Sequence, residues 1–177
     1  YCHFLLVNLY ADPYTHCTPA TTRGIPLSLA ADVNAVLSCS SVEKVYQQVI
    51  DDIKKAKEYL NVDTWNEGYT YRFNTVSANA LLARVYLYKG DWHNALEEAK
   101  TVIQKHGTLE DLNTSKVLPN YYLSAENIVA LEQVMTSGYV KIGVPDKALV
   151  DAYRTGDKRK ALYYKARTSS VYNLIKY

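Results

Sequence analysis

TVSANALLARVYLYKGDWHNALEEAKTVI, running from Thr75 to Ile103, decides the fold. Ala78, Leu81, Leu82, Val85, Tyr86 and Leu87 keep helical spacing through to Lys89, and Asn74 or Thr75 supplies a cap. Gly90-Asp91 ends this helix and starts the next, because Gly enters a left-handed cap at no steric cost and Asp accepts from free N–H groups. The following helix runs from about Trp92 to Lys105, with Ala95, Leu96, Ala99, Val102 and Ile103 directed inward, Trp92 packed at the turn and Gly107 closing it.

Small residues on both helices let them approach closely, and one aromatic fills the gap between them. Residues 75–106 therefore resemble a tetratricopeptide helix pair, with Leu82-Ala83 as the apolar-small pair, Tyr86 as the aromatic and Ala95 as the small residue opposite. Leu82, Tyr86, Ala95 and Ala99 are expected in one antiparallel interface. Such a repeat serves protein docking, scaffolding and ligand binding alike, so it fixes packing and leaves function open.

Upstream, Ser40-Ser41-Val42-Glu43 reads as a capping box with Ser40 as the cap. Val42, Val45, Tyr46, Val49, Ile50, Ile53, Ala56 and Leu60 then recur on one face, while lysines, glutamines and acids fill the other. Tyr1 to Tyr10 is a helix without the length or basic leader of a membrane span or signal peptide. Between them lies a stretch of Pro, Gly, Thr and Ser that predicts a long ordered loop without regular structure. Val62 to Phe73 is a polar, aromatic connection. Downstream, Ala125 to Val134 reads as a short strand or a helical turn, Tyr139 to Gly143 as extended or loop, Asp146 to Tyr153 as a two-turn helix, Thr155-Gly156-Asp157 as a turn and Ala161 to Tyr177 as partly extended.

The pattern predicts a mainly α fold of tetratricopeptide-like antiparallel helix pairs with long irregular loops and a few short strands. Residues 1–177 are a one-domain length that buries a core without staples. The chain begins without Met in what reads as mid-helix, as expected for a fragment of a larger protein. Cys2, Cys17 and Cys39 are an odd number without ligand spacing, so neither a disulfide framework nor a zinc site is indicated. Net charge is +2, and residues 147–177 carry eight Lys/Arg against two Asp/Glu. A solvated face accounts for that better than nucleic acid does.

Tyrosine is over-represented, with 17 Tyr against 2 Trp and 2 Phe. An apolar ring with a hydrogen-bonding tip suits hydroxylated ligands, and most such rings also pack well between helices. Three loops combine rings with polar groups: Tyr10, Asp12, Tyr14 and Arg23; Trp65, Asn66, Tyr69, Tyr71 and Arg72; and Asn120, Tyr121 and Tyr122. The residues favoured for sugar contact are Trp65, Tyr69, Tyr71, Arg72 and Tyr14. Trp65 leads because it stands outside the helical spacing, with capping of the core edge as its structural alternative.

A colinear series carries a wider resemblance. Asn8-Leu9-Tyr10-Ala11-Asp12-Pro13-Tyr14-Thr15, Arg23-Gly24-Ile25-Pro26-Leu27, Ser41 to Tyr46 with Ile50-Asp51-Asp52-Ile53, the helix pair, Ser124 to Ile128, and Leu149 to Tyr153 with Gly156 to Arg159 together resemble the SusD/RagB family in order and spacing. That resemblance implies a lipid-anchored protein on the outer surface of a Bacteroidetes-type outer membrane. It would capture glycan and hand it to a SusC-like TonB-dependent transporter, with no catalysis, cofactor or nucleic acid. The family's lipid-bearing Cys and its first and last helical regions have no counterpart in this stretch, so any membrane attachment is through an anchor absent from it. A tetratricopeptide scaffold for protein docking is the alternative.

Catalytic patterns are missing: there is no GxSxG, HExxH, phosphate-cradling Gly-rich loop or calcium loop. His3, His16, His93 and His106 are dispersed. Asp51-Asp52 and Glu97-Glu98 are adjacent on helices, so their carboxylates diverge instead of flanking a glycosidic bond. No catalytic or metal residue is expected.

Overall fold

The structure is a computed structural model that describes residues 1–32, 34–114, 121–131 and 143–175. These gather into two compact units, one of Tyr1–Thr64 with Phe73–His106 and one of Trp65–Arg72 with Gly107–Tyr177. The length expectation of one domain thus meets a chain whose second unit borrows the connection before its central helix pair.

The first unit contains α1 (Cys2–Tyr10), a 3-10 turn (Tyr14–His16), β1 (Arg23–Pro26), β2 (Cys39–Ser41), α2 (Val42–Tyr59), α3 (Thr75–Lys89) and α4 (Trp92–Lys105). The starts of α2, α3 and α4 are each set by a side-chain cap, whereas α1 has none. Ser77 N donates to Asn74 Oδ1 at 2.7 Å and Asn74 N to Ser77 Oγ at 2.8 Å, closing a reciprocal box before α3. Gly90 ends that helix at φ +80, a conformation that a Cβ would strain, and Asp91 accepts from Asn94 N to start α4. Before α2 the cap is Ser41, which accepts from Lys44 N at 3.3 Å. That corrects the expected Ser40 by one residue, because the helix begins at Val42, directly after β2.

Core formation follows the spacing. Val42, Val45, Tyr46, Val49, Ile50 and Ile53 of α2 are buried with Phe4 and Val7 of α1, Ile25 of β1, and Ala78, Leu82, Val85, Tyr86 and Ala95 of the helix pair. At about 1.5–3 kcal/mol for each fully buried Val, Leu or Phe, this face dominates the unit's stability. Helix α3 packs against both α2 and α4, which is why it is apolar on more than one side. Tyr86 and Ala95 are buried as a tight helix pair requires, and Ala99 is half-buried.

Several outward faces differ from expectation. Trp92 is 65% exposed, Leu96 52% and Ile103 67%. Among the described residues the apolar cover of α4 lies along the stripe facing α3, so Leu96 and Ile103, expected inward, and Trp92, expected to pack at the turn, face outward. Leu87 is likewise exposed, as is Ala56 near the end of α2, and His106 rather than Gly107 is the C-cap of α4. The stretch before α2 is not wholly irregular: β1 pairs antiparallel with β2, in a register that shifts between Arg23↔Ser41 and Pro26↔Cys39.

The second unit contains α5 (Lys147–Asp151), α6 (Lys158–Tyr163), β3 (Tyr164–Ala166) and β4 (Tyr172–Leu174). Asp146 caps α5 and Asp157 caps α6 through their carboxylates. Strands β3 and β4 form a hairpin with Tyr164↔Leu174, Lys165↔Asn173 and Ala166↔Tyr172 paired. Residues 125–131 are turns and bends rather than a strand or helical turn; the rest of the Ala125 to Val134 stretch, and Tyr139 to Ile142, lie outside the described residues. Among the described residues no helix is long and apolar enough to cross a membrane.

Candidate functional site

The connection between α2 and α3 is held at both ends before it forms a site. Thr75 N donates to the Val62 carbonyl at 2.9 Å. Asp63 accepts from Lys105 Nζ at 2.8 Å and from the Thr75 hydroxyl, and these hydrogen bonds hold its carboxyl below the usual carboxylate range. Two consecutive turns follow. Tyr69 N donates to the Asn66 carbonyl and Arg72 N to the Tyr69 carbonyl, each at 3.0 Å. Gly68 occupies the third position of the first turn at φ +90, where a type II turn requires a positive φ. Its neighbourhood is open, so backbone conformation rather than space calls for glycine.

The second turn brings its first and fourth residues together. Arg72 Cζ lies 4.6 Å from the Tyr69 ring centroid, 5.4 Å from that of Trp65 and 5.8 Å from that of Tyr71. A planar guanidinium over aromatic faces is a cation–π arrangement that fixes a long side chain at modest entropic cost. Tyr69 and Tyr71 remain 48% and 50% exposed, whereas Trp65 is half-buried. Within the second unit, Ala130 N donates to the Thr70 carbonyl at 3.0 Å and ties this loop to a distant segment of sequence.

Tyr121 and Tyr122 pack at 4.8 Å between centroids. The Tyr122 hydroxyl is raised above its ordinary pKa by its hydrogen bond with Tyr121, by the Tyr121 charge and by burial, with a further contribution from the Glu67 carboxylate. Sequence reasoning did not single out Glu67, although its place beside Gly68 in an Asn-Glu-Gly turn was a usable signal.

Residues 1–87 match the SusD-like family described as starch-binding and associating with the outer membrane. A curated relative, SusD-like protein P2 from Formosa agariphila, is 28% identical over 139 residues, covering 78% of this chain and 25% of its own length. A SusD superfamily protein from Bacteroides thetaiotaomicron VPI-5482 is 32% identical with a TM-score of 0.56, over 63% of this chain and 24% of that one. A SusD-like carbohydrate binding protein from Bacteroides vulgatus ATCC 8482 is 20% identical with a TM-score of 0.70, over 92% of this chain and 38% of that one, and shows the shared fold. Over residues 1–87 the chain is SusD-like. It spans about a quarter of the length of the curated relative it matches.

The structure brings together four of the five favoured residues, Trp65, Tyr69, Tyr71 and Arg72. Tyr14 belongs to the first unit. Its ring packs edge-on to Tyr46 at 4.9 Å with Lys89 Nζ 5.8 Å above it, and burial pushes its hydroxyl up. Tyr10 and Arg23 line an open hollow with Leu6, Ile25 and Cys39, and Asn120 lies outside the described residues.

Proposed function

We propose that the full-length protein captures oligosaccharide or polysaccharide at the outer face of an outer membrane, tethered by a lipid anchor. It passes the glycan to a SusC-like TonB-dependent transporter and does not cleave it. The observation that carries this reading is the cluster of Trp65, Tyr69 and Tyr71 around Arg72 in an exposed, doubly pinned loop. Apolar ring surface meets the C–H face of a sugar, while the phenol hydroxyls and a guanidinium serve its hydroxyl groups. The description of the matched family and the name of the carbohydrate-binding relative support it.

Each stacked ring contributes on the order of 1 kcal/mol beyond its buried area, so a few rings give affinities of roughly micromolar to millimolar. Release is then fast, as transfer to a transporter needs. Calorimetry of the full-length protein against a panel of host and plant glycans, with product analysis after incubation, tests the reading. Binding without shortening of the sugar is the expected result.

A second reading, a tetratricopeptide scaffold docking a protein, is favoured by one feature: Leu87, Tyr88, Trp92 and Leu96 form an exposed apolar surface along α3 and α4. Absence of binding to every glycan would turn the interpretation toward that surface, and release of shorter sugars would turn it toward an enzyme.

A further inference from the structure

We propose that Arg72 recognises an anionic group, the carboxylate of a uronic acid or a sulfate ester, on the sugar held by Trp65, Tyr69 and Tyr71, so that the ligand is an acidic glycan. This rests on the binding reading above and narrows it to a substrate class.

The chain contains its own comparison. Arg159 also lies over a tyrosine, 5.5 Å from the Tyr153 centroid, but its guanidinium is bound to the Asp157 carboxylate through Nε at 3.0 Å and Nη2 at 2.6 Å. Arg72 lies over three rings, and among the described residues no carboxylate comes within ion-pair distance of it and no hydrogen bond engages its guanidinium N–H groups. Ring faces attract the cation through its plane and leave its five in-plane donors unspent. Of the acids in the same connection, Asp63 accepts from Lys105 and Thr75.

The result is a permanent positive charge, oriented by aromatic contacts, solvent-exposed and lacking a counter-ion among the described residues. A fork of parallel N–H donors matches two oxygens of a carboxylate or sulfate, a geometry that a neutral sugar hydroxyl fills only once. Rings for the sugar face and a fork for its acid group together define a binding subsite for an acidic residue.

The test uses calorimetry on the full-length protein with two matched pairs: oligogalacturonate against its methyl ester, and a sulfated oligosaccharide against its desulfated form. Whichever pair is recognised identifies carboxylate or sulfate as the group read. The acidic member should bind about tenfold or more tightly than its neutral partner, the scale of a charge-assisted bidentate pair, and should weaken as salt is raised. R72Q should abolish the difference by lowering affinity for the acidic member much more than for the neutral one, and R72K should retain part of it as a point charge without the fork. Equal affinity for acidic and neutral members, or an equal loss of both in R72Q, overturns the proposal while the binding reading stands. No binding to any sugar overturns both.

Discussion

The Tyr46 hydroxyl donates to Asn8 Oδ1 at 2.9 Å, joining α2 to α1 across 38 residues of sequence. Tyr46 is 2% exposed, and Phe4 and Tyr14 meet its ring edge-on at 6.1 and 4.9 Å. Asn8 is held in turn by donating its amide to the Phe4 carbonyl at 2.7 Å. One buried phenol thus ties the first helix, the turn at Tyr14 and the second helix into a single packing unit.

Burial is the main cause that pushes the Tyr46 hydroxyl up to about 12, against a smaller opposing effect of the hydrogen bond with Asn8. The folded state therefore holds its proton at pH values where an unfolded tyrosine, near 10, has lost it. Stability from this group is fully present below pH 10 and is lost as pH rises through the folded value. Y46F should lower stability by about 1 kcal/mol at neutral pH through the lost hydrogen bond, and should make alkaline unfolding less steep. Circular dichroism at increasing pH, with phenolate absorbance recorded alongside, checks both; an unchanged alkaline transition would count against the assignment.

Ala95 is buried at the contact of α4 with α3, whereas Trp92 one turn earlier is mostly exposed. A95L should force the helices apart and cost about 1–3 kcal/mol. W92A, despite removing the largest side chain of α4, should stay within about 0.5 kcal/mol. Melting temperatures of the two variants should separate accordingly. The reverse order would mean that α4 is covered on its outer side.

Glu110 is tied to the Ser124–Glu126 segment through both its carboxylate and its backbone N–H. The Glu110 carboxylate accepts from Ser124 Oγ at 3.0 Å and Ala125 N at 2.8 Å, while Glu126 Oε1 accepts from Glu110 N at 2.9 Å. Ser124 is buried, so E110A leaves its hydroxyl proton without this acceptor, although the oxygen still accepts from Glu126 N, and should destabilise this segment by about 1–3 kcal/mol. Limited proteolysis should show faster cleavage near residues 107–131, with helix content of the first unit unchanged.

Local chemistry was readable where one residue type suffices. Gly90-Asp91 specifies a left-handed cap followed by an N-cap, and the Val42 to Ile53 spacing specifies one buried face. The β1–β2 pair was hidden because Gly24 and Pro26 look like loop residues and their partners lie far along the chain. Trp92, Leu96 and Ile103 show the limit of periodicity, which reveals that a helix has an apolar face and not whether anything covers it. At the candidate site the composition of the Trp65 to Arg72 loop was legible, but Arg72 meeting Tyr69 depends on two successive turns. Tyr14 had the right composition as well, yet its packing on Tyr46 is a tertiary property.

Gly68 sets the first of those turns, and its positive φ is expensive for any residue with a Cβ. G68A should cost about 1–2 kcal/mol in an exposed loop, so the turn should relax rather than the whole fold yield. Glycan affinity should fall while the melting temperature of the helical unit holds. An affinity equal to that of the unaltered protein would show that the Asn66–Tyr69 turn does not position the rings.

Trp65 separates the two structural roles open to this loop. As a half-buried ring with Arg72 5.4 Å from its centroid, it supplies either the sugar platform or a wall that keeps Arg72, Tyr69 and Tyr71 in place. W65A removes both, and a loss of about 1 kcal/mol per stacked ring predicts roughly a fivefold to tenfold weaker glycan complex if the ring is the platform. Helix content should not change, because Trp65 lies outside the helices. Y69A tests the alternative, since Tyr69 is more exposed and is the ring nearest the guanidinium. A larger effect of Y69A than W65A would make Tyr69 the platform and Trp65 the supporting wall. Full affinity in both variants, measured by calorimetry on the full-length protein, would remove this loop from the binding site.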